Sequence, residues 1–235
     1  MMRKVDIVRN VSIVRSVSIV RSVNIIRKRH MAAALLGAVL IVSMIPVRVL
    51  AKDRTGEGWR DKVEITAHRG DNTQAPENTM PAFKAAVENG ADWIELDVTQ
   101  TKDGGLVIFH DADLMRMTGK PDKIWDMSYE ELSQINTASH WGPFFKDTRI
   151  PTLEEVLDYC KDKIKLNIEV KVNNHQTQDF IARLVGLIQA KGMAEQCMIT
   201  SFDYHSLQAV KQLDPALETG FISSKAIEQP ESFTS

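Results

Sequence analysis

Apolar and polar residues alternate along this chain with two periods, and the switches between them lay out its elements. Val63 to Ala67 is a short, largely apolar run ending in His68-Arg69-Gly70, which predicts a strand feeding a turn. From Met80 to Asn89 the apolar residues Phe83, Ala86 and Val87 recur at helical spacing, with Thr79 where an N-cap belongs and Gly90 as the stop. Trp93 to Val98 then alternates apolar with acidic residues, as a half-polar strand does. Asp103-Gly104 between alternating segments predicts a hairpin that folds Leu106 to His110 back antiparallel.

The alternation resumes after a long interval. Thr152 and Glu155 form a capping box for a helix to Cys160, followed by a strand from Lys165 to Val172. Helices are predicted from Thr177 to Lys191 and from Tyr204 to Leu213, and strands from Cys197 to Ser201 and from Thr219 to Ile222. Strands and helices in strict turn predict a parallel α/β fold. Between Ala112 and Arg149 no strand pattern is evident, and Trp125, Trp141, Phe144 and Phe145 fall there. Those aromatics are expected to pack against the rim of the sheet; covering a site or binding a leaving group is the other reading.

The N-terminal part has a different pattern. Residues 5 to 28 repeat with period six (VDIVRN, VSIVRS, VSIVRS, VNIIRK), a spacing that keeps one face of a strand in register but smears across a helix. Four such units are too few for a solenoid, so residues 1–30 are expected to be a basic, poorly ordered leader. Arg27-Lys28-Arg29 precedes Met31 to Val47, a run without charge that continues past Pro46 and Arg48 to Ala51. A basic flank before an apolar core predicts a transmembrane or signal-anchor helix over 31–51, or a signal peptide cut after the small residues Val49 and Ala51. The basic side stays in the cytoplasm, so the remainder is expected at the cell membrane on the extracytoplasmic side, or secreted if the signal is cleaved. Residues 52–62 read as a polar linker, and 63–235 as one domain.

Composition narrows the partners. With 29 basic and 31 acidic residues the net charge is −2, which argues against nucleic acid. Cys160 and Cys197 lack metal-ligand spacing and read as buried free thiols.

The chemistry concentrates between Thr66 and Asp111. Two parallel strands joined by a helix bring their ends to one edge, so His68-Arg69 should meet Glu95 and Asp97, which share a strand face. The hairpin return delivers His110 beside Asp97. Any of these residues alone is commonplace; their convergence is not. Two carboxylates on one buried face repel unless a cation sits between them, and oxygen ligands suit Mg²⁺ or Ca²⁺ better than zinc.

These residues resemble the glycerophosphodiester phosphodiesterase family. The matching pieces are HRG at His68 to Gly70, APENT at Ala75 to Thr79, ELDV at Glu95 to Val98, TKDG at Thr101 to Gly104, HD at His110-Asp111 and NIEVK at Asn167 to Lys171, and the likeness runs from about Val63 to Ile222. It implies a TIM (β/α)8 barrel and metal-assisted hydrolysis of a small glycerophosphodiester to glycerol 3-phosphate and an alcohol. With the strand at Lys165 to Val172 central and parallel, Glu169 becomes a third oxygen ligand beside Glu95 and Asp97. Lys171 and Arg69 become contacts for the phosphate, and His68 and His110 the general base and acid. The resemblance adds that the substrate's own glycerol hydroxyl attacks first, giving a cyclic phosphate that water opens. It also favours the anchor over the cleaved signal, because membrane-bound members carry a helix before the catalytic domain. About five barrel strands are predicted where this barrel needs eight, and the family's later WTVN-like and GIITD-like segments do not occur, so a truncated, incomplete barrel is expected. The rival readings are a catalytically impaired membrane-tethered binding protein and a related barrel phospholipase.

Overall fold

The computed structural model describes residues 63–224. The predicted leader over 1–30, the apolar helix over 31–51 and the linker over 52–62 lie outside the described residues, as do residues 225–235. Within them the order is β1 (Thr66–His68), α1 (Met80–Glu88), β2 (Trp93–Gln100), β3 (Leu106–Ile108), α2 (Met115–Thr118), α3 (Tyr129–Ser133), α4 (Leu153–Cys160), β4 (Lys165–Val170), α5 (Phe180–Lys191), β5 (Cys197–Ser201), α6 (Tyr204–Leu213) and β6 (Glu218–Phe221). No helix among the described residues is long and apolar enough to cross a membrane.

The strands form one sheet in the order β1-β2-β4-β5-β6, all parallel, with β3 antiparallel on the end of β2. This is the strand sequence of a β/α barrel, open at β1 and β6 among the described residues. Alternation along β2 and β4 divides their side chains. Ile94, Leu96, Val98, Leu166 and Ile168 face the helices and join Phe83, Leu157, Leu184 and Val210 in the main core. Glu95, Asp97, Asn167 and Glu169 take the opposite face and are still buried, so that face is polar and enclosed.

The helix starts follow from their caps. Thr79 Oγ1 accepts from Ala82 N at the start of α1, and Thr152 with Glu155 closes a full capping box on α4. Several predicted boundaries move by one to three residues, and at three of them a side chain bonds the backbone at the new boundary. β1 begins at Thr66 and not Val63: the Ile65 N–H donates to the Asp92 carboxylate at 2.7 Å, while its carbonyl still accepts from Asp92 N and Trp93 N. β4 stops at Val170 because the Gln176 amide donates to Lys171 O at 2.5 Å. α5 begins at Phe180 because Thr177 is held by the Gln100 amide, its N–H donating to Oε1 at 2.8 Å.

The interval from 112 to 149 builds its own small core. Leu114, Met117, Ile124 and Leu132 pack with Val107, Phe109 and Ile150. The expected packing of the interval's aromatics against the rim holds for Trp125, which is half-buried against His175 in the loop after β4, and not for Phe144. Phe144 is 96% exposed and Trp141 37%, while Trp125 stacks on His175 with ring centroids 4.5 Å apart. Mainly aliphatic residues fill the small core, and of the interval's four aromatics Trp141 and Phe144 are exposed while Trp125 and Phe145 are half-buried. Cys160 and Cys197 are buried free thiols, and burial pushes both up to about 12.

Candidate active site

Parallel pairing sets the site. His68 is registered with Glu95 across β1 and β2, and Asp97 with Glu169 across β2 and β4, so the side chains meet at the C-terminal ends of three strands. Glu95, Asp97 and Glu169 each present a carboxylate oxygen within 4.8 Å of the others, and all three are buried. Burial and the neighbouring Asp97 charge push the Glu95 carboxyl up to about 8.

The cations around this cluster are few and committed. Lys171 Nζ lies 2.9 Å from Asp97 Oδ1 and 2.5 Å from Glu169 Oε1. Burial opposes its charge, but those carboxylates outweigh the cost and raise its pKa. The residue expected to contact phosphate, Lys171, holds its ammonium against two of the three acids at the same mouth. Arg69 is divided: its N–H donates to Glu95 Oε2 (2.9 Å), Nη1 to Glu77 Oε1 (2.8 Å), and Nε stands 3.4 Å from Asp97 Oδ2, buried without a hydrogen-bond partner. Three carboxylates therefore face one full ammonium and part of a guanidinium. Burial first, and the uncompensated charge of Asp97 second, raise Glu95, and an all-oxygen set with excess charge fits a hard divalent cation.

The histidines flank the cluster. His68 Nε2 is 3.8 Å from Glu95 Oε2. Partial burial and the Arg69 charge lower its pKa, so its imidazole is neutral at pH 7. His110 follows the hairpin return as expected, with Phe109 N donating to Asp97 O at 2.9 Å. Its Nδ1 is 2.6 Å from Asp111 Oδ1.

Four neighbours escaped the reading of the sequence as site residues. Asn78 is buried in a left-handed conformation (φ 54°) and donates through Nδ2 to Asp97 Oδ2 at 2.7 Å. Glu77 sits beside it against Arg69, and Asp111 and Arg116 extend the contacts to His110. The signal available was local: an Asn after Pro76-Glu77 tolerates positive φ better than most residues.

Residues 68–234 match the model of the glycerophosphoryl diester phosphodiesterase family. The chain belongs to that family. It is 38% identical over 170 residues to a glycerophosphodiester phosphodiesterase of Caldanaerobacter subterraneus, covering 72% of this chain and 70% of that protein. It is 36% identical over 175 residues to one of Bacillus altitudinis, with the same shares covered. Among solved structures, a phosphodiesterase of Oleispira antarctica in complex with the product sn-glycerol-3-phosphate aligns with a TM-score of 0.68 and 30% identity, over 75% of this chain and 72% of that one. The match spans the strands and turns that carry Glu95, Asp97, Glu169 and both histidines. As a family member the chain takes the α/β barrel fold and is a phosphoric diester hydrolase by kinship.

Proposed function

We propose that this chain hydrolyses glycerophosphodiesters to glycerol 3-phosphate and an alcohol, using one divalent cation, Mg²⁺ or Ca²⁺, and two histidines. The observation that carries the reading is the buried oxygen set of Glu95, Asp97 and Glu169, within 4.8 Å of one another and with His68 beside it. The names of the family relatives and the product held by the Oleispira antarctica structure support the substrate class.

Glu95, Asp97 and Glu169 would hold the cation, which when bound polarises a phosphoryl oxygen and offsets charge as the ester bond breaks. His68, neutral at pH 7, accepts the proton of the attacking hydroxyl through its imidazole nitrogen. His110, with its Nδ1–H committed to Asp111, acts as the acid in its imidazolium form, giving the second proton, on Nε2, to the departing alcohol oxygen. Arg69 and Lys171 already lie against Asp97 and are the cationic groups for the phosphate oxygens.

The test is release of glycerol 3-phosphate from glycerophosphocholine by the dialysed full chain, with Mg²⁺, Ca²⁺ or chelator. Release with cation and none with chelator is expected, and Glu95→Ala, Asp97→Ala or Glu169→Ala should abolish it. Turnover that persists in chelator removes the cation from the mechanism, and no release under any condition favours a binding protein. The apolar run 31–51 is proposed to anchor the chain with the catalytic domain outside the cytoplasm, supported by its basic flank and lack of charge up to Val47. Membrane fractionation with protease protection of whole cells decides that.

A further inference from the structure

We propose that Arg116 is a positioning residue for the reaction: one guanidinium that fixes the His110-Asp111 pair and, through Glu77 and Arg69, ties it to the carboxylate cluster. The proposal rests on the acid–base role given to His110 above. Arg116 lies on α2, beyond the hairpin, in the interval where the sequence offered only aromatics to consider. Its Nε donates to Asp111 Oδ2 at 2.7 Å, Nη2 to Glu77 Oε1 at 2.7 Å and Nη1 to Glu77 Oε2 at 3.1 Å. Three donors in a rigid planar fork therefore bridge two carboxylates from different loops, a geometry a lysine ammonium cannot reproduce.

Each carboxylate passes the constraint inward. Asp111 Oδ1 lies 2.6 Å from His110 Nδ1 while its other oxygen is held by Arg116. A carboxylate only accepts hydrogen bonds, so Nδ1 carries the proton and Nε2 is left to exchange one with substrate. Glu77 Oε1 is shared between Arg116 and Arg69 Nη1, at 2.7 and 2.8 Å. Without Arg116, Glu77 would claim Arg69 for itself and draw its Nε off Asp97, now at 3.4 Å. The support under Arg116 is firm. α2 has only four residues, but Leu114 before it and Met117 within it are buried in the small core. An exposed ion pair for stability alone needs neither the shared Glu77 nor the contact through Asp111 to an imidazole.

The experiment compares the full chain with its Arg116→Met, Arg116→Lys and Asp111→Asn variants by long-range proton–nitrogen NMR of the imidazoles at about pH 8, where unperturbed imidazoles are neutral, and by steady-state kinetics on glycerophosphocholine. Wild-type His110 should give the Nδ1–H tautomer, and Arg116→Met and Asp111→Asn a mixed or Nε2–H one, with the His68 signal unchanged. Turnover in Arg116→Met should fall roughly 10- to 100-fold with KM changed less than about threefold, the range seen when a partner of a site ligand is lost. Arg116→Lys should restore only a fraction of it. A wild-type His110 in the Nε2–H form, or an Arg116→Met protein with unchanged tautomer and turnover, overturns the proposal. If Arg116→Met does not fold, Arg116→Lys decides: full wild-type tautomer and turnover in it show that the fork is not needed, and overturn the proposal equally. An inactive wild-type chain would sink the functional reading, while the tautomer comparison would still decide the role of Arg116.

Discussion

At the scale of the residue, the site is governed by the cost of keeping three carboxylates out of water. Glu95 bears most of it, with its carboxyl pushed up to about 8 by burial and by Asp97. Between the usual carboxylate range and about pH 8 the folded state therefore holds a proton that the unfolded chain has released, so stability falls as pH rises through that window. Glu77 and Asp111 run the other way. Burial would raise both, but Arg116 with Arg69, and Arg116 with His110, bring them below the usual value, so their contribution is lost as pH falls. In chelator we expect stability to decline from about pH 5 to 8 by a few kcal/mol, on the order set by a multi-unit carboxyl shift. Added Mg²⁺ or Ca²⁺ should flatten that decline and release about one proton per ion near pH 7. Calorimetry in buffers of different ionisation enthalpy reads the proton directly; a cation that binds without proton release and leaves the pH profile unchanged is not bound at Glu95. The histidines give a kinetic counterpart: His68→Ala and His110→Ala should each lose orders of magnitude in turnover with little change in KM, because they act in the transition state. A variant keeping near-normal turnover from about pH 6 to 9 removes that residue from the mechanism. Glu95 and Asp97 were legible because a strand face repeats every second residue, and Glu169 because parallel neighbours share an edge. Asn78, Glu77 and Arg116 were not, since their roles arise only when one loop closes on another and no period in the chain encodes that closure.

At the scale of the element, the turn after β1 sets how closely α1 can approach the strand ends. Arg69 and Gly70 both take positive φ, 58° and 80°, which aims the Arg69 N–H at Glu95 and turns the chain within two residues. A Cβ at Gly70 would sit 2.8 Å from the carbonyl carbon and the Cβ of Ala82, inside α1. Gly90, just past the same helix, also has positive φ (73°) but nothing within 4 Å of its would-be Cβ. The two glycines separate strain from collision. Gly90→Ala should cost about 1 kcal/mol for the backbone alone. Gly70→Ala should cost at least about 2 kcal/mol and displace Arg69 from Glu95, because the helix must also move. Thermal unfolding of both variants checks the order, and equal losses would mean that α1 yields freely. The helices themselves were readable to within a residue where a cap is local, as with Thr79 and Thr152. Among the boundaries that moved, those at Ile65, Lys171 and Thr177 lie where Asp92, Gln176 and Gln100, respectively, bond across the chain.

At the scale of the whole molecule, the sheet of the described residues has two ends. β1 and β6 each pair on one side only, while a barrel removes its edges by closing. Apolar side chains stand near those ends and at the strand mouths: Val63 is 55% exposed, Ile65 46% and Phe202 59%. An exposed side chain of that size forgoes a large part of the roughly 1.5 to 3 kcal/mol that full burial supplies, and a domain's whole stability is only about 5 to 15 kcal/mol. The main core still unites α1, α4, α5 and α6 with β2, β4 and β5, so the centre of the sheet should hold while its flanks loosen. We therefore expect residues 63–224 expressed alone to bind a hydrophobic dye at neutral pH, and to unfold in a broad transition with an enthalpy well below the ~0.7 kcal/mol per residue of a closed domain. Hydrogen exchange should be slowest in β2 and β4 and fastest in β1 and β6. A single sharp transition with full enthalpy, together with protected β1 and β6 amides, would mean that both edges are covered in solution. In that case the carboxylate cluster would sit in a closed site, and the weak turnover that a loosened rim would otherwise cause should not be observed.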